Sequence, residues 1–158
     1  IALKIALIEP ELVSRLDLIA SAGLGPEINN EYIQGFISTD SRKEMKKLLQ
    51  KLVADPDLVN RSLVNDMLQF KRTDGVNAAL KTISTGFIGA DGSQSDIMKE
   101  ELHQLPMPVR VIWGNKDEII PSAHAESLPP NVEVKLLDGY GHLVQLEAAS
   151  EVNALLAS

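Results

Sequence analysis

Asp117 and His142 stand where a parallel sheet could put them to chemical use. Asp117 follows the apolar run Val109-Arg110-Val111-Ile112-Trp113 through Gly114-Asn115-Lys116, and His142 follows Val132-Glu133-Val134-Lys135-Leu136-Leu137 through Asp138-Gly139-Tyr140-Gly141. In open parallel sheets, ligands and catalytic side chains collect beyond the carboxyl ends of the strands. If the two runs are neighbouring strands, both side chains lie on one rim. A histidine that takes a proton from a hydroxyl needs a carboxylate on its other ring nitrogen, which fixes the tautomer and stabilises the imidazolium that forms. The order acid then histidine suits that pairing, and the glycines of the histidine loop allow a tight turn that swings the imidazole back over the sheet.

Plainer alternatives exist at both positions. Asp117 could be a turn aspartate capping a helix that begins near Ser122, and His142 a loop histidine satisfied locally. The flanking pattern favours the catalytic pairing. Asp138 is a substitute acid in principle, yet it leads straight into the histidine turn and is better read as a turn former. His103 and His124 are expected at exposed helix ends; no carboxylate or second histidine stands at metal-ligand spacing, so no metal site is expected. Gly23-Leu24-Gly25 lacks the third glycine and the following helix of a phosphate loop, and Pro26 interrupts it. Trp113 is expected in the core at the end of its strand.

The elements that must position these residues can be read from periodicity. Residues 1–8 form a short buried helix that stops at Glu9-Pro10-Glu11. Residues 16–21 form a compact buried strand, ended by the turn residues Ala22-Gly23-Leu24-Gly25-Pro26. Over residues 27–104 the texture becomes helical, with Met45, Leu48, Leu49 and Leu52, then Leu58, Leu63, Met67 and Phe70, at helical spacing. Residues 74–87 are a further helix and the glycine-rich stretch 86–95 a loop. After Pro106 and Pro108 come a strand at 109–114, a helix at 122–128, a strand at 132–137 and an amphipathic helix at 147–156. The order β, helical block, β, α, β, α implies parallel strands with flanking helices and an inserted helical cap, hence an α/β fold. The core is expected to comprise residues 1–26 and 105–158, and the cap insertion residues 27–104.

Composition narrows the function classes. A chain of 158 residues with 44% hydrophobic content can bury a core of its own. Fifteen basic against 22 acidic side chains give a formal charge of −7, and the cations Arg42, Lys43, Lys46, Lys47 and Lys51 share one helix as a solvated face, so a nucleic-acid partner is not expected. Cysteine is absent, which excludes disulfides, thiolate metal sites and a cysteine nucleophile. No apolar run approaches the roughly 18 residues that cross a bilayer, so no membrane association is expected, and a cytoplasmic location is compatible. The apolar pattern is already under way at Ile1, and the chain is expected to be part of a longer one.

Two stretches carry a family resemblance. Val111-Ile112-Trp113-Gly114-Asn115-Lys116-Asp117-Glu118-Ile119-Ile120-Pro121 resembles the acid loop of α/β-hydrolases, with its apolar strand, Trp-Gly, polar pair, Asp and following Pro. Gly141-His142 followed by Glu147 resembles the histidine loop of the same superfamily. The resemblance implies the C-terminal part of an α/β-hydrolase fold and a catalytic triad whose serine sits on a G-x-S-x-G elbow roughly five residues before Ile1. None of Ser14, Ser21, Ser84, Ser93 and Ser95 is placed to replace it.

Nearly the whole chain further resembles the acyltransferase component of bacterial acetoin dehydrogenase complexes. The likeness is carried by Ser41-Arg42-Lys43-Glu44, Ala54-Asp55-Pro56, Phe70-Lys71-Arg72-Thr73-Asp74-Gly75-Val76 and Gly141-His142-Leu143-Val144-Gln145-Leu146-Glu147. It implies transfer of an acetyl group from a lipoyl thioester to coenzyme A, which are substrates rather than cofactors held by these residues. It also implies partnership with a lipoyl domain and the other components of a 2-oxo-acid-dehydrogenase-like complex. A carboxylester or carbon-carbon bond hydrolase with the same triad, and a non-catalytic assembly core of the complex, are the alternatives. In either case the strand at residues 16–21 lacks a neighbour on one side within this sequence, and bare strand edges pair with other chains. The isolated 158-residue chain is therefore expected to self-associate; elution as a stable monomer at dilution in size-exclusion chromatography would contradict this.

Overall fold

Strand β2 (Val109–Gly114) is the axis of the structure. In the computed structural model, which describes all 158 residues, it lies between β1 (Leu16–Ile19) and β3 (Val132–Leu137), both parallel to it. The register pairs Leu16 with Val109 and Val109 with Val132. Alternation along β2 divides its side chains between two faces. Val109, Val111 and Trp113 enter the main core with Leu16, Leu18 and Leu24, while Ile112 enters a second cluster with Val144, Ala148 and Val152. Burial on both faces is what a central parallel strand requires, and it explains why the run reads as almost continuously apolar.

Helix α1 (Ala2–Ile8) covers the first face through the buried Leu3 and Ala6, with Leu7 packed beside them. The expected buried helix is thus buried along one stripe, and Ile1, Ile5 and Ile8 are exposed. The other face is covered by α6 (Val144–Glu147) and α7 (Ala149–Ala157). These replace the single expected terminal helix, the break falling at Ala148, whose φ of −115° and ψ of 41° lie outside the helical region. The expected helix at 122–128 is only a 3-10 turn over Ser122–Ala125, because Ser127 takes a positive φ of 55° and Pro129-Pro130 follows.

Helices α2 (Asn30–Ser38), α3 (Arg42–Gln50), α4 (Arg61–Arg72) and α5 (Val76–Phe87) make up the inserted block. Asn29, Ser41 and Asn60 cap the first three, each side chain accepting from a backbone N–H of the first turn. Met45, Leu49, Val53, Val59, Val64 and Leu68 form the block's own cluster. The stripe on α4 is not the expected one: Phe70 is half exposed, and the buried face is Val64, Leu68 and Lys71. Both sets have helical spacing; the inward set includes a lysine because its ammonium donates to the Thr39 carbonyl and lies 5.6 Å from the centre of the Phe36 ring.

The block leaves and rejoins the sheet at one place. Gln94, almost fully buried, accepts from the Gly23 N–H (2.9 Å) and donates to the carbonyls of Gly25 (2.8 Å) and Glu27 (3.0 Å). The outgoing and returning segments are thereby held by one carboxamide.

At the outer side of β1 the ladder is open. Leu16 and Ala20 donate to Pro108 and Ile112, and alternation in a parallel ladder turns the N–H groups of Asp17 and Ile19 the other way. No helix is long and apolar enough to cross a membrane.

Candidate active site

Gly114 ends β2 where a side chain cannot fit. A Cβ there would lie 2.3 Å from the Tyr140 carbonyl oxygen and 2.4 Å from that of Gly141, so the glycine allows the histidine loop to pass directly over the strand end. The two loops are then joined by backbone bonds, Asn115 to Leu137 (3.1 Å) and Lys116 to Tyr140 (2.9 Å). The Asn115 carboxamide adds two more, donating to Asp138 (2.6 Å) and accepting from Gly139 N–H (2.9 Å). Asp138 is occupied as a turn former, and the loops behind β2 and β3 are bonded into one rim.

On that rim Asp117 and His142 meet. Oδ2 of Asp117 lies 2.8 Å from Nδ1 of His142 and accepts from the Trp113 indole at 2.8 Å, while Oδ1 accepts from the backbone N–H groups of Ile119 (2.8 Å) and Ile120 (3.0 Å). The carboxylate is completely shielded from solvent and has four donors. Burial alone would raise its pKa. The hydrogen bond and charge of His142, with the Ile120 and Ile119 amides, outweigh that and hold the carboxyl below the ordinary carboxylate value. An ionised carboxylate only accepts, so Nδ1 carries the proton and Nε2 presents a lone pair.

The His142 side chain keeps 21% of its accessibility, and no serine of the chain bonds to it. Ser21 bonds the Ala22 carbonyl, Ser84 that of Lys81, and Ser93 the Asp91 carboxylate. Together the pair can accept a proton at Nε2 and stabilise the resulting imidazolium. Asp117 is also a turn aspartate, since it satisfies two amides of its own loop.

Trp113 is in the core as expected, and it is more than filler: its indole N–H shares Oδ2 with His142 and also lies 3.2 Å from the Ile120 carbonyl. His124 corrects an expectation. It is buried, not exposed, with Nε2 2.7 Å from a Glu27 carboxylate oxygen and its ring edge-on to Trp113. Its hydrogen bond is the leading reason the Glu27 carboxyl is held below its ordinary value. The partner lies 97 residues away, which no local spacing rule reveals. His103 is exposed and reaches only the Glu100 carbonyl. No group of three or more His, Asp or Glu side chains is placed to hold a metal ion. Arg42, Lys43, Lys46 and Lys47 are exposed on α3.

No protein-family model matches the sequence. The chain is 40% identical over 156 residues to the dihydrolipoyllysine-residue acetyltransferase component of the acetoin cleaving system of Cupriavidus necator, covering 99% of this chain and 41% of that protein. It is 43% identical over 153 residues to the protein of the same description from Pseudomonas putida, covering 97% of this chain and 40% of that one. The chain thus spans about 40% of the length of these relatives. Among solved structures it is similar to a meta-cleavage product hydrolase from Pseudomonas fluorescens, with a TM-score of 0.83 at 22% identity over 98% of this chain and 58% of that one.

Proposed function

This chain has the α/β-hydrolase fold, and from that premise we propose that Asp117 and His142 are the acid and base of a serine-dependent acyltransferase site. The observation that carries the reading is the anchored pair: Nδ1 bonded to a buried, ionised carboxylate, Nε2 available to a hydroxyl. The serine would be supplied from outside these 158 residues.

His142 Nε2 would take the serine proton as the serine oxygen attacks the carbonyl carbon of an acetyl thioester. Collapse breaks the carbon-sulfur bond, and the departing thiolate recovers the proton from the imidazolium. A second thiol then repeats the sequence in reverse on the acetyl-serine, losing its proton to Nε2 and carrying away the acetyl group. Likeness to the two dihydrolipoyllysine-residue acetyltransferase components supports a dihydrolipoyl group as the donor, and coenzyme A is the proposed acceptor. A lipoyl domain and the other components of an acetoin-cleaving complex are the proposed partners.

The same pair supports a second reading, a carboxylester or carbon-carbon bond hydrolase in which water takes the acyl group, because Nε2 can accept a proton from water as readily as from a thiol. Acceptor competition separates them. The full-length protein, given acetyl-dihydrolipoamide, is expected to form acetyl-coenzyme A when coenzyme A is present and to release acetate at least ~10-fold more slowly without it, a preference worth about 1.4 kcal/mol in the deacylation barrier. Equal acetate release with and without coenzyme A would establish the hydrolase instead. An inert protein with a folded site would favour an assembly core.

A further inference from the structure

Glu147 lies at the end of α6, away from the reacting atoms, yet it holds both neighbours of the site in one carboxylate. Oε2 accepts from the N–H of Gly141, the residue before His142, at 2.7 Å. Oε1 accepts from the N–H groups of Ala54 (2.7 Å) and Asp55 (3.2 Å), in the turn that follows α3 in the inserted block. On the other side of the histidine, Leu143 donates its N–H to the Leu52 carbonyl at 2.9 Å. Gly141 is pressed so closely on this turn that a Cβ would come within 2.9 Å of the backbone of Val53 and Ala54.

His142 therefore has no free flank. The residue before it and the residue after it are both fastened to residues 52–55, and the fastening on the Gly141 side passes through Glu147. We propose that Glu147 is a positioning residue that couples the seating of the helical cap to the orientation of His142, so that the imidazole is held toward Asp117 only while the cap turn is in place. This rests on the acyl-transfer reading for its functional consequence, while the coupling itself is a property of the fold. A carboxylate suits the task because all three groups it meets are donors and each of its oxygens has lone pairs to spare. Glutamine keeps the shape but replaces one oxygen by an amino group that only donates. Whichever way the amide turns, either Gly141 or the Ala54-Asp55 pair faces a donor.

In the full-length protein, Glu147→Gln is expected to accelerate amide hydrogen exchange at Gly141, Ala54 and Asp55 together, while exchange within β2 and α7 stays unchanged. The acetyl-transfer kcat should fall ~10²-fold with KM altered much less, as a misplaced catalytic group demands. Its pH profile should broaden as the His142 environment loses definition. Glu147→Asp, which keeps the charge but is shorter by one methylene, serves if the glutamine variant does not fold, and should show the same pattern. Faster exchange confined to Ala54 and Asp55 with kcat unchanged would overturn the coupling. The proposed chemistry fails separately: if a His142→Ala control turns over normally, the acyl-transfer reading is lost, whereas joint acceleration at Gly141 and Ala54 would still establish the link.

Discussion

His142→Ala in the full-length protein is expected to lower the acetyl-transfer rate by about 10⁴- to 10⁶-fold, the range for removing the base of a serine triad. The size follows from what the imidazole does in both half-reactions. On the proposed mechanism it would remove a proton from each attacking nucleophile and return one to each leaving group, and no other titratable group bonds to Asp117. Loss of the ring should leave the fold standing. Asp117 keeps its bonds to Trp113, Ile119 and Ile120, and the vacated position is already partly open to solvent. A thermal melt within a few degrees of the parent, beside rapid-quench kinetics of acyl-enzyme formation, separates the catalytic effect from unfolding. A variant that retained a tenth of the parent rate would remove His142 from the mechanism.

Asp117→Asn should reduce activity by about 10³- to 10⁴-fold through the tautomer rather than through loss of a group. If the amide oxygen stays with the Ile119 and Ile120 N–H groups, the amino group faces Nδ1 of His142 and the indole N–H of Trp113. Nδ1 can then avoid a clash only by giving up its proton, which moves to Nε2 and leaves no lone pair for a hydroxyl. Trp113 retains the Ile120 carbonyl at 3.2 Å. The structural cost is one donor pair set against another in a buried place, about 1–3 kcal/mol, readable as a lower urea midpoint.

The same substitution changes acid stability in a definite direction. A carboxyl whose folded pKa is depressed contributes stability that is fully present above its unfolded value and is lost as pH falls through the folded one. For Asp117 that window begins near its ordinary value of 3.8 and extends below it. The parent should therefore lose stability more steeply than Asp117→Asn as pH is lowered through this range. Parallel curves in pH-dependent urea denaturation would mean that the carboxylate is not specially held.

The meeting of Asp117 and His142 was legible because each follows a short apolar run ended by turn residues, and neighbouring parallel strands bring such positions to one rim. β2 and β3 were legible for the same reason. What escaped lies across long sequence separations. The Glu27–His124 bond spans 97 residues and the Glu147–Ala54 bond 93, and no local period encodes either. Trp113 could be placed in the core from its neighbours, but its N–H had no assigned partner until Asp117 folded back four residues on. On α4, Leu63, Met67 and Phe70 have the same spacing as Val64, Leu68 and Lys71; Val64 and Leu68 are buried against Met45, Leu49, Val53 and Val59, and Lys71 can join them because Thr39 and Phe36 receive its ammonium. Helical periodicity gives the element; choosing between adjacent stripes takes the neighbour.

Gln94 gives the molecule a modular seam. With Gly23, Gly25 and Glu27 gathered on one carboxamide, the two ends of the inserted block meet at a point, so the sheet experiences the block as a closed loop whatever its contents. Lengthening or rebuilding such a loop costs little closure entropy, growing only as the logarithm of its length. The helices between 28 and 93 could thus be rebuilt while Asp117 and His142, built behind β2 and β3, stay where they are.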